Sequence, residues 1–199
     1  AAPAGTLRIS APTSFGACVI APLTATFLQA WPDVRVELDL TNRMVDLVDE
    51  GIDLAIRTGT MPDSSLIARP IFDSRWVIVC SPEYLESHPE PRCAEDLLGH
   101  NCLTYTYQES GTANWLMKRP GRNDIYELQV NGNLSANNAR AIRKAVIGGH
   151  GIAMVPRCMV YEDLQDGKLT EILAGHCGKV LGIYAVYPYT RNLPLKTRL

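Results

Sequence analysis

Val34-Arg35-Val36-Glu37-Leu38-Asp39-Leu40 alternates apolar and charged side chains without a break. A period of two places Val34, Val36, Leu38 and Leu40 on one face, so the segment reads as a β-strand with one buried and one wet side. On its N-terminal side, Phe15, Val19, Leu23, Phe27 and Trp31 recur every four residues. That spacing is one face of a helix, which Pro32-Asp33 ends. Pro22 interrupts it, so the helix either kinks there or begins its regular part there. Thr13 and Ser14 suit the helix start as caps, and Thr6 to Ser10 reads as an earlier strand. On the C-terminal side, Asn42 suits the cap of a helix carrying Met44, Val45, Leu47 and Val48, with Gly51 as its stop. Asp53 to Arg57 is then a short buried strand. Strand–helix–strand–helix–strand predicts a parallel sheet with right-handed crossovers and helices on its faces.

Beyond a polar loop at Gly59 to Ser65 the pattern changes. Leu66 to Phe72 and Trp76 to Cys80 read as strands separated by Asp73-Ser74. Ser81-Pro82-Glu83 is a cap, a first-turn proline and an acidic residue, the start of a short helix. Ala94 to Leu98 is another short helix. Strands follow at Cys102–Thr106, Asn114–Met117 and Ile125–Val130, the last two joined by a Pro120-Gly121 turn. Ser135 suits the cap of a helix bearing Ala139, Ile142 and Val146. Ile152 to Val155 is a strand, Cys158 to Gln165 a helix, and Leu169 to Leu173 and Gly182 to Tyr187 are strands. The ends, Ala1 to Gly5 and Leu193 to Leu199, read as a linker and as one opening helical turn.

The 199 residues are 46% hydrophobic and 20% charged, an ordinary globular composition that excludes a disordered or fibrous chain. Lys and Arg number 19 against 21 Asp and Glu, a net charge of −2. With no basic excess, this stretch is a poor nucleic-acid binder by itself. No apolar run approaches the roughly 20 residues of a membrane span. None of Cys18, Cys80, Cys93, Cys102, Cys158 and Cys177 forms a CxxC pair, which argues against a zinc ribbon or a thioredoxin motif. Buried, reduced thiols of a cytoplasmic protein are the expectation. Nucleophile-elbow, zincin, P-loop and dinucleotide motifs are absent, and His88, His100, His150 and His176 are scattered. The chain is therefore read as a non-enzyme without metal or cofactor.

Several segments carry a resemblance in ordered succession. They are Leu7-Arg8-Ile9-Ser10-Ala11-Pro12-Thr13-Ser14-Phe15-Gly16, Trp31-Pro32-Asp33-Val34, and Val45-Asp46-Leu47-Val48 followed by Gly51 to Arg57. His100-Asn101-Cys102-Leu103, Trp115 and Gly148 to Pro156 come later. Together, over about residues 5 to 199, they resemble the effector-binding domain of LysR-type transcriptional regulators. The resemblance implies an α/β fold of two doubly wound, Rossmann-like subdomains with a hinge, like a periplasmic binding protein. Subdomain I would hold 5–72 plus 180–199, and subdomain II 73–175. A small effector would bind in the cleft between them. DNA would be bound only through an N-terminal winged helix-turn-helix that this stretch lacks. A homodimer or higher homo-oligomer is implied, with the Phe15–Trp31 helix and the Val34–Leu40 edge strand packing on another copy; no membrane is involved. A transporter's solute-binding protein is the alternative with the same fold.

Ligands of doubly wound sheets meet the carboxyl ends of strands and the following helix N-termini. Those places are Thr13, Ser14 and Phe15; Thr41 and Asn42; Arg57, Thr58 and Gly59; and, in the second half, Asn137 and Pro156. Each also has a plain structural use, since Thr13, Asn42 and Ser135 can simply cap helices and Arg57 can pair with an acid. The Cys93–Cys102 spacing equals that of the family's peroxide sensors, but His100 alone could activate a thiol there, and reduced cysteines are the expectation.

Overall fold

The computed structural model describes residues 2–59, 65–106, 113–190 and 194–198. It opens with β1 (Gly5–Ala11), α1 (Thr13–Phe15), a π-helical stretch Gly16–Ile20, α2 (Ala21–Ala30), β2 (Val34–Leu40) and β3 (Leu54–Thr58). The 15-residue β4 (Leu66–Cys80), α3 (Pro82–Ser87) and a 3₁₀ turn at Ala94–Gly99 come next. Then follow β5 (Cys102–Tyr105), β6 (Asn114–Lys118), β7 (Ile125–Gln129), β8 (Ser135–Ala136) and α4 (Ala139–Ile147). The chain closes with β9 (Ile152–Pro156), α5 (Arg157–Gln165), β10 (Thr170–Ile172), β11 (Val180–Pro188) and α6 (Leu195–Arg198). Two compact units result: Ala1–Asp73 with Leu181–Leu199, and Ser74–Val180.

In the first unit the strand order is β2-β1-β3-β11. β1 runs parallel to β2 from Gly5 opposite Val34 to Ala11 opposite Leu40, and parallel to β3 at Ile9–Leu54 and Ser10–Ala55. β11 closes the sheet antiparallel to β3, with Ile183 opposite Thr58. The α1–α2 helical run lays Ile20, Phe27 and Leu28 on a core of Leu7, Ile9 and Val34. A second core gathers Leu47, Ile52, Ala55 and Val186. α6 is a single turn held by Lys196, whose Nζ donates to the Thr6 carbonyl and, at 2.9 Å, to Asp53 Oδ2.

The second unit has the order β4-β9-β5-β8, with β10 beside β4. β9 runs antiparallel to β4 and parallel to β5. α4 buries Ala139, Ile142 and Val146 and packs on β5 and β9. The expected Pro120-Gly121 turn joins the β6–β7 hairpin.

Five sequence expectations need correction. First, no helix forms after Asn42: Asp46 instead accepts from the N–H groups of Val48 and Asp49, closing a local turn that Gly51 ends at φ +65°. Second, Ser135 lies in a strand, and Asn138 caps α4 by accepting from Arg140 and Ala141. Third, Asp73-Ser74 interrupts nothing; without glycine or proline there, β4 stays extended through both. Fourth, Thr13 is already helical, and its N–H is capped by Asn42. Fifth, Thr13–Ala30 is the one helical run, among the described residues, with the length and apolarity to cross a membrane. Ile20, Phe27 and Leu28 pack against β1 and β2 only partly buried, and α2 has no fully buried residue. Pro22 stands in the first turn of α2, just past the π-helical stretch, so the regular helix begins there.

Candidate functional site

Three parallel strands of the first unit end at one edge, at Ala11, Leu40 and Thr58. The loops that follow are tied to one another. Thr13 N–H donates to Asn42 Oδ1 at 2.9 Å, and Thr13 Oγ1 donates to the Leu40 carbonyl at 3.4 Å. Thr41 N–H donates to the Ala11 carbonyl at 2.9 Å. Thus Thr13 and Thr41–Asn42, 29 positions apart for the capped pair, form one cross-linked corner. Ser14 and Phe15 are buried, and the Phe15 ring lies 6.1 Å from that of Phe72. Asn42 is exposed and Thr13 partly so.

Arg57 reaches back along the same edge. Its guanidinium donates to Ser10 Oγ at 3.0 Å and to the Ile56 carbonyl at 2.8 Å. Ser10 is fully buried. Sequence reading missed Ser10, because nothing in a strand residue shows that it will orient an arginine 47 positions away. Gly59 turns the chain at φ +90°, where glycine is favoured, and its N–H donates to the Gly182 carbonyl. Thr58 ends β3 beside it.

In the second unit, Asn137 is exposed just before the Asn138 cap, and Pro156 is buried at the end of β9. Pro156 stands opposite Trp76 in the β4–β9 register. Trp76 is buried and stacks on Tyr105, with ring centroids 5.7 Å apart. Lys179 Nζ lies 3.9 Å from the indole centroid. Burial holds the Lys179 ammonium below the ordinary lysine range, against the opposite pull of Cys177.

Elsewhere in this unit His100 Nδ1 and Tyr84 Oη are 2.9 Å apart, and His88 stacks on Tyr84 with centroids at 4.0 Å. A cavity of about 600 Å³ opens beside His88, Arg92, Asp96 and His100. Its lining includes none of the candidate ligand-binding residues, although His88 and His100 are on it. All six cysteines are free thiols. The expectation of burial fails for Cys18 and Cys93, which are exposed, whereas Cys80 and Cys102 are buried. Burial pushes both of these thiols up to about 12, with Glu90 adding to the effect at Cys80.

An α/β unit whose parallel strands deliver polar loops to one edge defines a ligand-binding class of fold. Comparison with known proteins narrows it. The family model for the LysR substrate binding domain matches residues 1–199, and the chain belongs to that family. A Haemophilus influenzae HTH-type transcriptional regulator is 35% identical over 96% of this chain and 66% of its own length. The regulator CrgA of Neisseria meningitidis serogroup C is 32% identical over 99% of this chain and 65% of its own. The chain thus spans about two thirds of the length of these curated relatives. Among solved structures, the full-length Vibrio cholerae virulence activator AphB superposes with a TM-score of 0.86 at 31% identity, covering 99% of this chain and 66% of that one. The CrgA regulatory domain gives 0.86 at 29%, covering 98% and 95%. These relatives are transcriptional regulators, not transporter components.

Proposed function

We propose that the chain senses a small anionic molecule on behalf of a bacterial DNA-binding regulator. The observation that carries this reading is the shared edge in the first unit, where Thr13–Phe15, Thr41–Asn42 and Arg57–Gly59 come together with the Arg57 guanidinium aligned on Ser10. A guanidinium in that setting suits a carboxylate. Asn137 and Pro156 are the second unit's candidate contributors. Sensing requires that the ligand bind two arrangements of the protein with different affinity. The helix-turn-helix part of the relatives would read that difference out on DNA, in the bacterial cytoplasm, and the ligand would leave chemically unchanged.

Thermal unfolding against a panel of small carboxylates tests the reading. At 100 times its Kd, a ligand bound only by the native state adds about 2.7 kcal/mol. Ser14→Ala is expected to weaken the shift. An effector found bound away from the named loops would overturn the site.

A further inference from the structure

Trp76, Tyr105 and Lys179 meet where the parallel strands of the second unit finish. Tyr105 is the last residue of β5, Pro156 is the last of β9, and Trp76 lies opposite Pro156. This is the edge at which doubly wound sheets take ligands. Two polar groups there go unanswered. Trp76 is 6% exposed, and its buried Nε1–H has no acceptor among the described residues. The Lys179 ammonium is half-buried and has no carboxylate within ion-pair distance among the described residues. Its described neighbour is the indole face at 3.9 Å, a cation–π contact that only partly replaces lost water.

We infer that Lys179 and Trp76 are the second unit's anchor for the carboxylate of a monoanionic ligand. One carboxylate oxygen takes the Lys179 ammonium as its ion-pair partner, and the other accepts from Trp76 Nε1–H. Nε1 is sealed from solvent in this structure, so the second bond requires the indole edge to become accessible. One cation and one neutral donor balance a single negative charge; a phosphate dianion would leave one charge unanswered. The inference takes from the effector reading above only the ligand's class, a small organic anion, and assigns that class a carboxylate anchor within the second unit itself.

Three tryptophans give three indole N–H resonances in the ¹⁵N-labelled 199-residue chain, and Trp76→Phe identifies its own. The matching CrgA regulatory domain has been solved without the rest of its protein, so this part is a fair object for solution work. Acetate, pyruvate and benzoate are titrated at constant ionic strength, with chloride and the dianion sulfate as controls. The expected result is a saturable movement of the Trp76 signal with at least one monocarboxylate and with neither control. Lys179→Met then weakens that ligand at least about tenfold, the scale of deleting one member of a charge pair. Lys179→Arg, which keeps the charge, restores most of the affinity. An unchanged response in Lys179→Met overturns the assignment. So does a still Trp76 signal when the thermal panel has found a ligand, which leaves the effector reading standing. Silence in both experiments sinks the two together.

Discussion

At the scale of single residues, burial sorts the titratable groups. Cys80 and Cys102 sit in the core with thiols pushed up to about 12, so the nucleophilic thiolate is scarce at neutral pH. Cys18 and Cys93 are exposed. Brief alkylation of the native protein, read by peptide mass spectrometry, should label Cys18 and Cys93 and spare Cys80 and Cys102 until denaturant is added. A stoichiometric Cys93–Cys102 disulfide after mild peroxide would contradict this. His100 is held below its ordinary pKa by burial first and by the neighbouring positive charge of His88 second, with Asp96 opposing. The fold therefore favours the neutral ring. Its contribution to stability is complete above the unfolded value of about 6.5 and is lost as pH falls through the lower folded value. Urea unfolding at several pH values between about 5 and 7.5 should show stability declining on the acid side. In His100→Asn, which keeps a polar atom near the Tyr84 hydroxyl, that decline should be shallower; an identical pH profile would remove His100 from the account.

At the scale of elements, local periodicity carried the regular parts and failed where a distant partner decided. β2 and the apolar face of α4 were legible because every second, or every third to fourth, residue is apolar over a long enough run. Asn42 was misread because its amide serves the start of α1, 29 positions earlier, and not a helix of its own. The Ser10–Arg57 bond and the Trp76–Lys179 contact escaped sequence reading for the same reason: each joins two elements that only the sheet brings together. Of the candidate site, the strand ends and their loops could be found from the pattern, and the partners that orient them could not. The glycines before β9 show how tightly one such junction is built. A Cβ at Gly151 would stand 2.1 Å from the Asn101 carbonyl oxygen, the same atom that accepts from Ile152 N–H at 2.9 Å. Gly151→Ala must push β9 off β5, and a loss of about 3 kcal/mol or more is expected in chemical denaturation. A change under about 0.5 kcal/mol would show that the junction yields easily.

For the whole molecule, the helical run Thr13–Ala30 is apolar yet mostly unburied in the isolated chain, and Leu23 on it is 60% exposed. β2 lies at the sheet edge beside it, with backbone groups open to pairing. Both features fit a two-fold homodimer that buries at least about 1,000 Å². Leu28 also lies on this helix, but it packs on the unit's own core, so changing it would confuse folding with assembly. Leu23→Asp is the cleaner probe. Sedimentation at micromolar concentration should show a dimer for the parent and a folded monomer for the variant; a dimer untouched by Leu23→Asp would exclude this helix from the interface. The chain's route has a further consequence, for its birth on the ribosome. β3 is made early, but its neighbour β11 lies beyond the whole of Ser74–Val180, with Ile183 taking its place opposite Thr58. At about 5–20 residues per second, β3 waits on the order of ten seconds with one side unpaired. The second unit, an unbroken run, has all its strands by then. Of the two units, the one whose synthesis starts earlier is therefore the one completed later, and in the interval one side of β3 stays open to pairing.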